Sequence, residues 1–269
     1  MTLTARPWLI VVALLSLLAL SPAHAGMTPQ EVEIFKDAKA WAEKGEAEGQ
    51  LNLGICYTKG EGVAKDDVQA VAWFRKAAVQ GFAPAQTLLG HRYFGGEGVP
   101  KDQVQAVSWY RKAAIQGIAS AQYNLGNSYR DGKGVVQDYM QAVSWYRKAI
   151  AQGHLKAHSD LGLCYAKGNG VKKDEVEAVS WYRKAADQGD TLALHNLGGC
   201  YGSGRGVAKD EVEAYALWYL ASITDEVTRK ALAEMEKFLP SDVIQLGKTR
   251  AKQLQKEINA KIAAKKAGK

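Results

Sequence analysis

One pattern recurs at a fixed interval and settles the architecture before any other feature is considered. Leu-Gly stands at Leu53-Gly54, Leu89-Gly90, Leu125-Gly126, Leu161-Gly162 and Leu197-Gly198, each 36 residues after the last. A tyrosine follows three places after each glycine (Tyr57, Tyr93, Tyr129, Tyr165, Tyr201). A Gly-x-Gly-Val tetrad then starts at Gly60, Gly96, Gly132, Gly168 and Gly204. An aspartate comes next (Asp66, Asp102, Asp138, Asp174, Asp210), then Trp73, Trp109, Trp145 and Trp181 with Arg-Lys after the following aromatic residue. A closing glycine stands at Gly81, Gly117, Gly153 and Gly189. A period of 20–50 residues without insertions means stacked supersecondary units rather than one closed globule.

Each unit reads as two helices. In residues 82–117, helix A spans about Ala83 to Phe94, with Ala85, Leu89 and Tyr93 on one face at i, i+4, i+8. The stretch from Gly95 to Pro100 is a turn. Asp102 with Gln105 three residues on has the spacing of a reciprocal capping box, repeated as Asp66/Gln69, Asp138/Gln141, Asp174/Glu177 and Asp210/Glu213. Helix B then carries an apolar stripe of Val104, Val107, Tyr110 and Ala114, and Gly117 supplies the left-handed residue that ends it. A single hairpin of this kind cannot bury both faces; stacked neighbours can.

The strings A-x-x-x-L-G-x-x-Y at 85–93, G-x-G-V-x-x-D at 96–102 and A-V-x-W-[FY]-R-K-A-A-x-Q-G at 106–117 resemble the Sel-one-like repeat (SLR) family, a relative of the tetratricopeptide repeat. The resemblance covers about residues 46–225. It implies an all-α fold: a right-handed α-α solenoid of five 36-residue helix-turn-helix repeats with N- and C-terminal capping helices. It also implies an adaptor or scaffold role rather than one reaction. The last copy departs from the pattern, with Trp218 one place late and Leu220-Ala221-Ser222 in place of Lys-Ala-Ala, as a terminal unit that meets a cap would.

Outside the repeats, residues 26–45 read as an N-terminal capping helix in which Val32, Phe35 and Ala38 align with helix B positions. Residues 226–239 and about 241–264 read as two C-terminal helices, with Pro240 near the start of the second. Their Leu232, Met235, Phe238, Val243, Leu246, Leu254 and Ile258 are the residues expected to cover the end of the stack. Residues 1–25 have the layout of a cleavable secretory signal: Arg6, a 13-residue apolar run from Trp8 to Leu20, and Ala23-His24-Ala25 as the cleavage site. The expected location is therefore periplasmic or secreted.

Charge is unevenly placed. The chain is +7, and residues 248–269 hold eight Lys or Arg against one Glu, so the tail carries the excess and the body is near neutral. Lys248, Arg250, Lys252, Lys256, Lys261, Lys265 and Lys266 are candidate contacts for an anionic envelope surface; a solvated outer face of a cap helix is the plainer reading. No nucleic-acid partner is expected, since the tail lacks interleaved aromatics.

No constellation for catalysis or cofactor binding emerges, so no enzyme activity, small-molecule cofactor or metal is expected. The Gly-x-Gly tetrads are turns, not phosphate cradles, because no Gly-Lys-Ser/Thr follows a strand. His154 and His158 have metal-like spacing but lack a third ligand. Cys56, Cys164 and Cys200 recur at one repeat position; equivalent helices about 8–10 Å apart hold Cα atoms too far apart for a disulfide, so free thiols are expected. The Ser-x-x-Lys, Ser-Asp-Asn and Lys-Thr-Gly strings of β-lactam and cell-wall enzymes are absent.

What remains is a surface. By analogy with tetratricopeptide stacks, the positions two before each Leu-Gly leucine and one and four after its glycine line a concave groove. They are Thr87, His91 and Phe94; Tyr123, Asn127 and Arg130; Ser159, Leu163 and Ala166; His195, Gly199 and Gly202; and Leu51, Ile55 and Thr58. They vary between copies whose flanking positions do not, so folding does not dictate them. The expectation is a protein or peptide partner held there, with Tyr123, Arg130, Phe94 and His91 as anchors of the kind that dominate interfaces.

Overall fold

The computed structural model describes residues 27–267, and every element among them is helical. In chain order they are α1 (Pro29–Glu43), α2 (Ala47–Lys59), α3 (Asp67–Val79), α4 (Ala83–Gly95), α5 (Gln103–Ile115), α6 (Ala119–Asp131), α7 (Tyr139–Ala151), α8 (Lys156–Lys167), α9 (Glu175–Ala186), α10 (Thr191–Ser203), α11 (Glu211–Ser222), α12 (Glu226–Met235) and α13 (Ser241–Ala267). The expected signal segment 1–25 lies outside the described residues. The chain forms two compact units, one up to Ala113 and one from Ala114 on. Helices α2, α4, α6, α8 and α10 are the A helices of the five repeats, and α3, α5, α7, α9 and α11 the B helices.

Each hairpin is held by one ring against one glycine. Phe74, Tyr110, Tyr146 and Tyr182 lie on Gly54, Gly90, Gly126 and Gly162, and a Cβ at Gly126 would come within 2.7 Å of the Tyr146 ring. Tyr146 is fully buried; truncating such a ring to Ala costs about 3–5 kcal/mol. In the fifth repeat Trp218 takes this place on Gly198. The tryptophan is therefore not a displaced copy of Trp181. It stands at the ring position, and buried Leu217 stands where the other repeats have tryptophan.

The turns use glycine for two separate reasons. The first glycine of each tetrad caps helix A in the left-handed conformation, as at Gly96 with φ 81°. The second is also left-handed, and in four copies it sits on a backbone carbonyl of the preceding B helix: Gly62 on Glu31, Gly98 on Asp67, Gly170 on Tyr139 and Gly206 on Glu175. Any side chain there would overlap that carbonyl.

The aspartates cap the B helices, though not as the sequence pattern suggests. Asp66 Oδ1 accepts from Gln69 N at 2.9 Å, and the same bond recurs at Asp102, Asp138, Asp174 and Asp210. The return half of the box is replaced. The amide N–H of each aspartate donates instead to a helix A carbonyl, that of Tyr57, Tyr93, Tyr129, Tyr165 or Tyr201, at 2.9–3.0 Å. The reciprocal box does form at α1, between Thr28 and Glu31. The apolar stripe of helix B is also narrower than expected. Val107, Tyr110 and Ala114 are buried with Ala106 and Ala113, whereas Val104 is exposed, as are its equivalents Val68, Met140 and Val176.

In the second unit, α13 packs along α11. Gly247 lies on the Tyr215 ring, Ala251 and Leu254 join the same core, and Ile258 and Ile262 reach Gly189 in the turn between α9 and α10. Small residues at 247 and 251 permit this close approach and set the rotation of α13. That rotation leaves two expected core residues outside, Phe238 at 86% and Leu246 at 56% exposed. Leu232 and Ile258 are buried as expected.

Candidate A-helix binding face

The positions expected to line a groove divide into three kinds. Thr87 and Ser159 are buried and correct the expectation. Thr87 Oγ1 donates to the Ala83 carbonyl at 3.0 Å, and Ser159 Oγ donates to Asp190 Oδ1 at 2.6 Å, so both hydroxyls serve the fold. His91 and His195 are exposed. His91 lies edge-on to Tyr110 at 5.4 Å, and His195 Nδ1 is 3.0 Å from Thr228 Oγ1. Phe94, Tyr123, Asn127, Arg130 and Leu163 are half-buried.

Tyr123 and Arg130 converge on Asp160, which is not among the positions expected to line the groove. Tyr123 Oη donates to Asp160 Oδ2 at 2.9 Å, and Arg130 Nη1 donates to Asp160 Oδ1 at 2.6 Å. Arg130 also holds Asp131 through Nε at 2.7 Å. Tyr146 Oη donates to Asn127 Oδ1 at 2.7 Å beside this cluster. Asp160 is buried, and burial raises its carboxyl above the usual range while Arg130 and Tyr123 oppose the rise. Burial, reinforced by Asp160, pushes the Tyr123 hydroxyl up to about 12, so it remains a donor. Two of the four anchors expected for a partner, Tyr123 and Arg130, thus already tie α6 to α8.

The sequence did hold a signal for Asp160. The residue before each Leu-Gly reads Asn52, Leu88, Asn124, Asp160 and Asn196, and one carboxylate among neutral groups marks a break in the repeat.

The open part of the face lies one repeat further on. Two depressions, of about 180 and 220 Å³, share Asn196 and Arg205. Leu163, Ala166 and Tyr182 line the first; Gly199, Trp218 and Met235 line the second. Gly199, in the wall of the second, stands where other repeats carry Ile55, His91, Asn127 or Leu163, and Gly202 lies against the Trp218 ring. Arg205 is exposed, its Nε donating to Ser203 Oγ at 2.9 Å. Trp218 Nε1 donates to the His195 carbonyl at 3.1 Å, which fixes the indole as one wall.

The remaining candidates are placed as follows. No group of three or more His, Cys, Asp or Glu among the described residues is arranged to hold a metal ion. His154 stacks on Tyr123 at 4.3 Å and His158 packs against Trp181 at 5.8 Å. Cys56, Cys164 and Cys200 are buried free thiols. In the basic tail, Arg250 Nε donates to Glu213 at 2.7 Å, Lys261 pairs with Asp187 at 2.6 Å, Lys248 lies 3.5 Å from Glu236, and Lys265 donates to Gln188. Arg250 therefore anchors α13 rather than facing outward, while Lys252, Lys256 and Lys266 are exposed.

A family model for the Sel1 repeat matches residues 47–82, 83–118, 119–154, 155–190 and 191–222. A solved structure of a protective antigen present in uropathogenic Escherichia coli strains, displaying an SLR fold, is 38% identical over 86% of this chain, with a TM-score of 0.72. The chain spans 48% of that protein's length. A Sel1 repeat protein from Oxalobacter formigenes is 37% identical over 73% of this chain and 84% of its own, with a TM-score of 0.66. Among curated proteins none matches.

Proposed function

Because the chain belongs to the Sel1 repeat family, whose members generally mediate protein–protein interactions, we propose that it is a periplasmic or secreted scaffold that holds a polypeptide segment on its A-helix face and performs no catalysis. The observation that carries this reading is the paired depression at Asn196 and Arg205, the second of the pair opened at Gly199. It offers two recesses with an exposed guanidinium between them, the second mostly apolar and the first apolar at Leu163, Ala166 and Tyr182 but also lined by Lys167 and Glu175. An extended segment with a carboxylate flanked by apolar side chains meets those features: the carboxylate on Arg205 and the apolar groups against Leu163 on one side and Trp218 on the other. Arg130 and Tyr123 support the reading as positioning groups, since they fix α6 against α8.

The test is capture of a partner from envelope extract by the wild-type chain and two variants. Gly199→Leu fills a recess at a helical position where little lies near a new Cβ; its nearest neighbour is Arg205 at 3.9 Å. Arg205→Ala removes the guanidinium. Both should lose the partner while keeping the wild-type circular dichroism spectrum. Retention of the same partner by both variants refutes the assignment. Fractionation with N-terminal sequencing of the processed chain tests the location, with Gly26 expected as the first residue.

A further inference from the structure

The N-terminal end of the stack presents a second, separate surface. Helix α1 is a B helix by register: Gly62 sits on Glu31 as Gly98 sits on Asp67, 36 residues later. The B helices α3, α7 and α9 each pack between the A helix of their own repeat and the next A helix, whereas the extensive packing of α1 among the described elements is on α2. On the side where its own A helix would lie is an open groove of about 650 Å³ between α1 and α2. Ile34, Ala38 and Trp41 line it from α1, and Asn52 and Ile55 from α2. Ile34 is 47% and Trp41 49% exposed.

The repeats themselves define what fits. Asn52 and Ile55 correspond to Asp160 and Leu163, and Asp160 receives Tyr123 and Arg130 from the preceding A helix. Ala38 stands where Phe74, Tyr110, Tyr146, Tyr182 and Trp218 stand. Those rings require a glycine on the opposing helix; Ala38 leaves room for a large apolar residue instead. The charged residues lining the groove are Asp37 and Glu61 against Lys44, and the segment from Glu31 to Glu48 holds six carboxylates against three lysines.

We propose that this groove docks a basic, amphipathic α-helix of a partner protein, seated where an A helix would pair with α1. The docked helix is about 20 Å long, the length of 13 helical residues. It places hydroxyl or amide donors near Asn52 and a leucine-sized residue against Ala38. This surface is independent of the Arg205 depressions.

The probe is an end-blocked peptide of the α6 sequence 119–130 carrying Gly126→Leu, with two lysines added at each end, titrated into the full chain by calorimetry. Saturable binding is expected, at least fivefold tighter than that of the same peptide retaining glycine, and weakening with salt. Trp41→Ser and Ile34→Glu, both at exposed positions, should each weaken it at least tenfold, while Arg205→Ala leaves it unchanged. No saturable binding, or binding indifferent to Trp41→Ser and Ile34→Glu, overturns the proposal. Binding seen only after removal of residues 1–25 assigns the groove to the chain's own N-terminal segment. Self-association abolished by Trp41→Ser assigns it to a second copy. Either of these also overturns the partner reading.

Discussion

Removing Arg130 and neutralising Asp160 should have unequal consequences. Asp160 is buried with its carboxyl raised chiefly by desolvation, so ionising it in the folded chain is uphill relative to the unfolded one. Asp160→Asn, which mimics the protonated acid in shape, should be neutral within about 1 kcal/mol. Arg130→Met leaves the carboxylate with Tyr123 as its remaining close donor. Two unit charges about 4 Å apart at an effective dielectric of 20 attract by about 4 kcal/mol. The Arg130 side chain is 28% exposed and also serves Asp131, so about half of that, roughly 2 kcal/mol, is expected as the cost. The cost should fall to about 0.5 kcal/mol in the Asp160→Asn background, a coupling of about 1.5 kcal/mol. The pH arm has a defined sign. A carboxyl raised on folding holds its proton where the unfolded chain has released it, so stability falls as pH rises through the raised range. Arg130→Met widens that window and Asp160→Asn removes it. Urea unfolding followed by circular dichroism across pH, with hydrogen exchange on α6 and α8, measures all four corners. An equal cost for Arg130→Met in both backgrounds, or one independent of pH, refutes the ion-pair account of this face.

Other outcomes follow from single contacts. Burial raises the Cys164 thiol to about 11, so Cys164 should resist thiol reagents at pH 8 in the native chain and react on unfolding, as mass spectrometry would show. Gly81 is left-handed with nothing within 4 Å of a new Cβ, whereas one at Gly98 would strike the Asp67 carbonyl; Gly81→Ala should cost about 1–2 kcal/mol and Gly98→Ala clearly more, by urea midpoints. Gly247→Val would press on the Tyr215 ring and should cost about 1–3 kcal/mol, read as lost exchange protection along α13 with the second repeat unaffected.

The repeat architecture was legible because period, ring, glycine and cap recur together, and each recurrence tests the others. Helix limits followed from the same tetrads and aspartates. What escaped were choices that depend on a neighbour in space. The spacing of Asp102 and Gln105 fits a capping box, yet the Tyr93 carbonyl lies within reach of the Asp102 amide and takes it. Trp218 looked displaced because tryptophan was matched to tryptophan, when the relevant property is a ring over Gly198. Phe238 and Leu246 looked like cap core on hydrophobicity alone, but Gly247 and Ala251 set which face of α13 turns inward. Thr87 and Ser159 vary between repeats without facing solvent, since a hydroxyl within a helix can satisfy itself on a nearby carbonyl or cap. Asp160 was visible as an exception at its position, but only its packing shows that Tyr123 and Arg130 are spent on it.

In four repeats the second tetrad glycine seats on the carbonyl of the helix before it, and that contact is a matter of backbone alone. No side-chain identity is matched across it, since Glu31, Asp67, Tyr139 and Glu175 all supply the same oxygen. Such a joint is interchangeable. Excising one whole 36-residue module, or duplicating one, brings together backbone seats that already fit, with only ties particular to one pair, such as Tyr123 and Arg130 on Asp160, to be lost, while a shift of a single residue leaves a side chain where only hydrogen has space. Lineages built on this hinge can therefore gain or shed binding length in whole modules without redesigning a core.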